Sequence, residues 1–505
     1  MREREHTLAR YKTVIWYIGR LMMIIGGFLL LPLIILPFYM NELKYFQSFL
    51  VPALVFAFAG FILKSLTDKS EKVPVNHAVG AIIVVCAWVA GWLAGAAPLY
   101  LSGLFNPTQA LFESMSGWTT TGLTVALPDQ LPHIILFWRS LMQYAGGFGF
   151  ALMMMSMLIS SNPSGACYAE GHTDLILPQL KKSANIIVKI YLIYLLAGSA
   201  MYLFAGMNVF DAVNHCMTAL STGGFSTHND SIAGFKSLPI EIISIILMLL
   251  GATSFTVHHL IFSKKFQSAK INDEVKFMFA TLIIFVALFF IAVMPRMAYF
   301  HFTGYGDIVR HGVFECVSAL TTTGFRSISY VHPALPALVS FILMVLMCLG
   351  GHTNSTAGGI KQYRIAVFFR TIYWTIQEMF LPRTSVISYQ VMKAENPSFI
   401  KEKNIREVLL YIALFVVTFV TGTLILVFMG NTVLHSMFEF ASALSTGGLS
   451  SGITSPTASP QVLWVLLAGM FLGRLEFFII IYVIVKALTD VKFLITSEDA
   501  PMHGK

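Results

Sequence analysis

The chain has 505 residues, of which 56% are hydrophobic and only 11% charged, against roughly 45–50% and about 25% in soluble domains. So little polar side chain cannot cover a water-facing surface of this size, which excludes a soluble enzyme, a disordered chain and a coiled coil. The formal charge of +8 does not point to nucleic acid, because the basic residues lie between apolar runs and not on one polar face.

Residues 1–12 carry both signs of charge and lead into a long apolar run. No small-residue cleavage site stands out, so 14–39 reads as a spanning helix, with a signal peptide as the weaker alternative, and 46–63 reads as its return partner. Further spans are expected at 78–100, 133–158, 186–205, 239–262, 277–295, 333–350, 408–429 and 461–488, ten in all. Lys and Arg crowd alternate connections, above all 361–406. With the N-terminus inside, the outer connections hold only Lys44, Lys236, Arg296, Arg310 and Arg326. That asymmetry places both termini in the cytoplasm.

The strongest feature is a fourfold internal repeat. SGWTTTGL (116–123), TALSTGGF (218–225), SALTTTGF (318–325) and SALSTGGL (442–449) stack on Gly122, Gly224, Gly324 and Gly448. Nine residues before each glycine stand Glu113, His215, Glu315 and Glu439. Further upstream, Asn106, Asn208, Asp307 and Asn431 read as helix N-caps, with Pro107 at a favoured first-turn position. Each unit therefore reads as span, short helix, Thr/Ser-Gly turn, span. A helix of about a dozen residues is too short to cross a bilayer, so it must enter and turn back, in all four units from outside.

Irregular backbone at membrane depth is tolerated only where it is buried in protein or lines a wet cavity. Four such loops can ring one axis, where carbonyl oxygens replace the hydration shell of a hard monovalent cation. Glycine permits positive φ and close approach to that axis, and the C-terminal ends of the short helices favour a cation there. The competing reading, small residues that merely let helices pack, explains one such cluster better than four in register. The aligned Glu113, Glu315 and Glu439 are either ligands or supports bonded to the loops from behind. A carboxylate in the path would bind a cation too tightly to release it, which favours support, and His215 reads as structural too.

In unit three, LGGHTNSTAGGIK (349–361) puts small and polar residues where a helix core belongs. It is a candidate gate, with an ordinary kink as the bland alternative. Arg474 lies midway along the last expected span, where a charge is a functional candidate by default. Glu476 is only two residues on and does not share its helix face, so a partner must come from elsewhere. His258–His259 has neither catalytic nor metal-ligand spacing, the methionines at 153–155 read as packed or lipid-facing surface, and Gly146–Gly147 allows close helix contact. The scattered cysteines form no zinc or disulfide framework, and no nucleotide-hydrolysis motif appears. The basic connection 361–406 is suited to docking a partner or lying on anionic lipid.

The four loops, the GGHTNSTAGGIK break and the GRLE segment together resemble the Trk/Ktr/HKT superfamily of cation transporters over nearly the whole chain. Two extra N-terminal spans make it similar to the bacterial Trk branch, a potassium uptake membrane subunit. The resemblance implies an all-α polytopic membrane protein of four covalently linked span–pore-helix–span units around one pore, plus two N-terminal helices. It further implies a homodimer in the bacterial inner membrane, a cytosolic nucleotide-binding regulatory ring, K+ as the transported ion, no covalent cofactor and no enzymatic activity.

Carried onto this sequence, the filter comprises Thr120, Thr121, Gly122, Thr222, Gly223, Gly224, Thr322, Thr323, Gly324, Thr446, Gly447 and Gly448. The gate comprises Gly351, Thr353, Asn354, Ser355, Thr356, Ala357, Gly358, Gly359 and the constriction residue Arg474. Sodium-preferring plant relatives carry Ser at the position of Gly122, so Gly implies potassium. The loop departs from the family pattern at His352, Thr353 and Asn354. The expected division is an N-terminal extension (1–70), pore units at 71–165, 180–265 and 266–360, the cytoplasmic connection 361–406, and a fourth unit at 407–495. Alternatives are a sodium-selective pathway or sodium/proton-coupled potassium symporter of the same superfamily and, more remotely, a broken-helix transporter of small solutes.

Overall fold

Apolar runs that must satisfy their backbone without water become helices, and helices make up nearly all of this fold. The computed structural model describes residues 2–68, 70, 72–147, 180–300, 302–328, 336–382, 390–393 and 396–496. The later part of the expected span 133–158, the methionines at 153–155 and part of the 361–406 connection lie outside the described residues. Two units are distinguished, and each is described by itself.

The first unit holds α1 (Arg2–Phe28), α2 (Phe46–Thr67), α3 (His77–Leu101), the start of α4 (Pro107–Trp118) and the last helix, α18 (Phe477–Thr496). Small residues let α1 and α2 touch along their backbones: a methyl on Gly19 would meet the Gly60 carbonyl at 2.7 Å, and one on Gly26 the Ala53 carbonyl at 2.7 Å. Val14 of α1 packs on Val79, Ile82 and Ile83 of α3. Asp490 of α18 accepts from Arg10 at 3.0 Å, Tyr11 at 3.1 Å and Lys486 at 2.8 Å. Asn76 caps α3 through the Val79 N–H.

The second unit contains the repeat. The rest of α4 is followed by α5 (His133–Gly147), α6 (Leu180–Phe204, in this unit from Asn185), α7 (Val209–Leu220), α8 (Leu238–Ala252), α9 (Phe255–Phe262), α10 (Phe266–Ile271) and α11 (Asp273–Val293). Then come α12 (Tyr305–Leu320), α13 (Ala337–Leu349), α14 (Gln362–Phe380), α15 (Glu402–Phe428), α16 (Val433–Ser445) and α17 (Pro460–Leu475). A short antiparallel pair, β1 (Gln390–Lys393) and β2 (Asn396–Phe399), interrupts the helices.

Among the described residues, six helical stretches are long and apolar enough to cross a membrane: Arg4–Phe38, Met40–Thr67, Ala78–Leu101, Asn185–Phe204, Asp273–Met297 and Glu402–Phe428. Three of the ten expected spans are not single continuous helices among the described residues. The run 239–262 is broken between α8 and α9 with a bend of 106°. The helix of 333–350 runs only over Ala337–Leu349. The run 461–488 divides at Glu476, whose φ is 57°. Arg474 consequently stands at the end of a helix, not midway along one.

The four short helices α4, α7, α12 and α16 have 12, 12, 16 and 13 residues. Asn106 and Asn208 cap two of them as expected, through Gln109 N at 2.9 Å and Asp211 N at 2.8 Å. The other two caps are corrected. Asp307 sits inside the first turn of α12 and accepts from Thr303, so the loop closes on the helix instead of being capped by it. Asn431 donates back to Leu426 at the end of α15, and Thr432 is the residue before α16.

Candidate functional site

Each short helix ends the same way. The N–H of Thr121, Gly223, Thr323 and Gly447 reaches back five residues, to the carbonyls of Ser116 (2.9 Å), Thr218 (2.8 Å), Ser318 (2.9 Å) and Ser442 (2.7 Å). The residue before, Thr120, Thr222, Thr322 or Thr446, lies in the left-handed region at φ 55°, 51°, 53° and 53°. This is a Schellman ending in which a β-branched residue occupies the place usually held by glycine. Left-handed threonine is strained, and such strain persists only where the surroundings hold it. Here they do so four times.

The sequence glycines follow at φ 91°, 76°, 84° and 75°. Their neighbours form a closed cycle in chain order. A methyl on Gly122 would strike the Gly223 carbonyl, one on Gly224 the Thr323 carbonyl, one on Gly324 the Gly447 carbonyl at 2.7 Å, and one on Gly448 the Thr121 carbonyl at 2.5 Å. The four loops thus converge, each glycine against the carbonyl of the next loop. Gly122, Gly224, Gly324 and Gly448 together line one cavity of about 410 Å³, whose lining also includes Thr124, Arg139, His228, Arg326 and Thr454.

The aligned acidic positions are buried and bonded to the chain that follows each loop. Glu113 accepts from Thr124 Oγ1 (2.6 Å), Val125 N (2.7 Å) and Ala126 N (3.2 Å). Glu315 accepts from Ser327 N at 2.8 Å, and Glu439 from Ser450 Oγ, Ser451 N and Thr454 N at 2.8, 2.6 and 3.0 Å. His215 makes the equivalent reach, with Nε2 2.9 Å from Ser226 Oγ. Arg139 pairs with Glu113 at 2.9 Å, both fully buried.

The segment between α13 and α14 packs against three of the loops. Thr356 Oγ1 lies 3.0 Å from Thr222 Oγ1, Gly358 N donates to Thr322 Oγ1 at 2.7 Å, and Gly358 abuts Ser445 and Thr446. The segment also fills the α8–α9 bend: His352 N and Thr356 N donate to the carbonyls of Ala252 and Gly251, and Phe255 N donates to Asn354 O. Ser355 Oγ closes on the His352 carbonyl at 2.6 Å, Thr353 N donates to Glu274, and Gly351 O accepts from Gln362 N. Ala357 is buried against Gly351. Gly359 has a φ of 75°, and a methyl on it would meet Gly350. Arg474 donates to Thr356 O at 2.9 Å and to Gly146 O at 2.6 Å. These two acceptors are backbone carbonyls of two other segments.

Three features escape the sequence reading. The bend at Thr253–Ser254 follows Gly251 and Ala252, a small-residue run that echoes the 350–359 segment. Glu274 supports Thr353. Gln143 of α5, a lone amide in an apolar helix, bonds to the second loop. Of the minor features, Gly146 and Gly147 do allow close contact, with Trp118 and Ser221. His258 is bonded to Tyr194 and to the Leu250 carbonyl.

Helices long and apolar enough to cross a membrane define a polytopic all-α membrane protein. Residues 47–493 match the TrkH family, described as a cation transport protein, and the chain belongs to that family. An uncharacterized cation transporter of Methanocaldococcus jannaschii is 30% identical over 472 residues, covering 92% of this chain and 93% of its own. The Trk system potassium uptake protein TrkH of Halomonas elongata is 28% identical, covering 93% and 97%. The crystal structure of the potassium transporter TrkH from Vibrio parahaemolyticus superposes with a TM-score of 0.80 at 25% identity, covering 93% of this chain and 98% of that one.

Proposed function

We propose that the chain is a potassium uptake subunit through which K+ crosses the cytoplasmic membrane along a four-loop filter. The observation that carries this reading is the closed cycle of loops at Gly122, Gly224, Gly324 and Gly448. Thr121, Gly223, Thr323 and Gly447 supply the carbonyls, one from each loop. Neutral carbonyl oxygen suits a weakly hydrated monovalent cation and lets it leave again. The strained Thr120, Thr222, Thr322 and Thr446 anchor the loops to the short helices, whose C-terminal dipoles favour positive charge at the ring. Glu113, His215, Glu315 and Glu439 hold the outer flanks of the loops and stay out of the path.

Gly351 to Gly359 act as the gate and Arg474 as its latch. By seating Thr356 against Thr222, the segment blocks the inner side of the filter, and the arginine adds a fixed positive charge beside the cation route. The relatives' potassium uptake supports K+ as the cargo. The division into an extension (1–70), pore units (71–165, 180–265, 266–360, 407–495) and a basic cytoplasmic connection (361–406) belongs to this reading. So do cytoplasmic termini, a homodimer and a cytosolic nucleotide-binding regulatory ring.

The test is radiolabelled Rb+ uptake into liposomes holding the purified protein, driven by a membrane potential and competed with K+ or Na+. Competition by K+ well below the Na+ concentration needed is expected. Equal competition by Na+ would reject potassium selectivity, and uptake indifferent to both would reject the cation pathway.

A further inference from the structure

The four loops are not equivalent, and the difference follows an alternation. The residue before the glycine is Thr121 in the first loop and Thr323 in the third, but Gly223 and Gly447 in the second and fourth. In the first and third loops that threonine hydroxyl bonds within its own loop, Thr121 to Thr119 at 2.7 Å and Thr323 to Thr321 at 2.8 Å. In the second and fourth the vacant side-chain position is filled from outside. A methyl on Gly447 would meet Met347 of α13, at 2.6 Å from Sδ, and a methyl on Gly223 would meet the amide of Gln143 of α5. Each filler stands on the helix that follows the preceding loop, so the two sites correspond in the repeat.

The fillers differ in chemistry. Met347 offers volume. The Gln143 amide is fully buried and spans the second loop: Nε2 donates to the Gly223 carbonyl at 2.6 Å, and Oε1 accepts from Phe225 N at 3.0 Å. The Gly223 carbonyl is the one that faces Gly122 in the cycle. A carbonyl oxygen has two lone pairs, so an amide on one side leaves the other for an ion while fixing where the oxygen stands.

We infer that Gln143 is a positioning residue for ion discrimination: it pins the Gly223 carbonyl in the ring, and Gly223 is glycine because Gln143 needs the space. This rests on the filter reading above. A ring that can shrink onto a smaller cation loses its preference for the larger one, and an anchored oxygen resists that shrinkage. Only the second loop is held in this way by a side-chain amide among the described residues, so its carbonyl is the one whose position one substitution can release.

The experiment uses full-length protein in liposomes, with Rb+ uptake competed by K+ and by Na+. Gln143→Met keeps the volume, copies the counterpart site and removes both hydrogen bonds; Met347→Leu is the packing control. Gln143→Met is expected to retain uptake and lower the K+/Na+ preference roughly fivefold, the size of one neutral hydrogen bond, while Met347→Leu leaves it unchanged. If Gln143→Met does not insert, Gln143→Leu is read in its place with the same expectation. An unchanged preference in the inserted Gln143 variant, or an equal loss in Met347→Leu, overturns the inference. A wild type that fails to discriminate K+ from Na+ overturns the filter reading itself, which is a different result.

Discussion

The Arg474 guanidinium donates to the carbonyl oxygen of Thr356 at 2.9 Å and, through its other terminal nitrogen, to that of Gly146 at 2.6 Å. One side chain at the end of α17 thus clips the 350–359 segment to the end of α5. Arginine can do this because its planar fork presents several donors at once, whereas lysine is a point charge. On the proposed gate reading, Arg474 has two separable effects, a positive charge near the ion route and a clip on the segment.

Arg474→Ala removes both effects, and Rb+ uptake should rise on the order of tenfold, the worth of one charge-assisted hydrogen bond. Arg474→Lys keeps the charge and weakens the clip, so its uptake should fall between Ala and wild type. Uptake in Arg474→Lys equal to that of Arg474→Ala would assign the whole effect to the clip. Unchanged uptake in both, with normal insertion, would remove Arg474 from gating.

Gly122→Ser tests the ring. Its φ of 91° is costly for any side chain, and a Cβ there strikes the Gly223 carbonyl. Strain of roughly 1–3 kcal/mol must be relieved by moving one of the two loops. The K+/Na+ preference should drop about tenfold, measured as competition against Rb+ uptake, while the protein still inserts. A preserved preference would mean that the first loop does not set selectivity.

The repeated loops are legible in the sequence because their requirement is local. A left-handed Gly after a Thr/Ser run, at the end of a short helix, recurs as letters at fixed spacing. The breaks at Thr253–Ser254 and Glu476 are not legible in the same way. Each involves one or two residues inside apolar sequence, and a span-length hydropathy average passes over them. The acceptors of Arg474 at Thr356 and Gly146 are backbone oxygens distant in the chain, and every residue carries one, so no sequence pattern marks them. Asp307 and Asn431 carry the right side chain but stand 17 residues before their glycines, one further than Asn106 and Asn208, and they bond instead to Thr303 and Leu426 in the preceding segments. Glu113, Glu315 and Glu439 are visible as an aligned column, whereas their hydrogen-bond partners become evident only when the chain after each glycine folds back.

The Glu113–Arg139 pair is buried on both sides. Removing one partner of such a pair leaves an uncompensated charge and costs roughly 3–5 kcal/mol, whereas replacing both can be close to neutral. Glu113→Gln and Arg139→Met should each lower the unfolding temperature in detergent by several degrees. The double variant should recover part of the loss. Additive losses would show that the two side chains act independently.

Thr356→Val separates the gate from the fold. Valine matches threonine in shape, so the space between Thr222 and Arg474 stays filled. The hydroxyl is lost, and with it the contact to Thr222 Oγ1 at 3.0 Å and the single donated hydrogen bond shared between the carbonyls of Gly251 at 2.9 Å and Leu220 at 3.1 Å. The bonds made by the Thr356 backbone, from its N–H to Gly251 and from Arg474 to its carbonyl, survive. The segment then remains attached to the α8–α9 bend and to α17 but loses its grip on the second filter loop. Each lost neutral hydrogen bond is worth about 1 kcal/mol, enough to shift a closed gate toward open by several-fold. Rb+ uptake without any cytosolic partner should therefore rise several-fold, with the K+/Na+ preference unaltered because the carbonyl ring is not touched. A change in preference at constant uptake would instead show that Thr356 acts on the filter geometry, and would move this residue from the gate to the selectivity machinery.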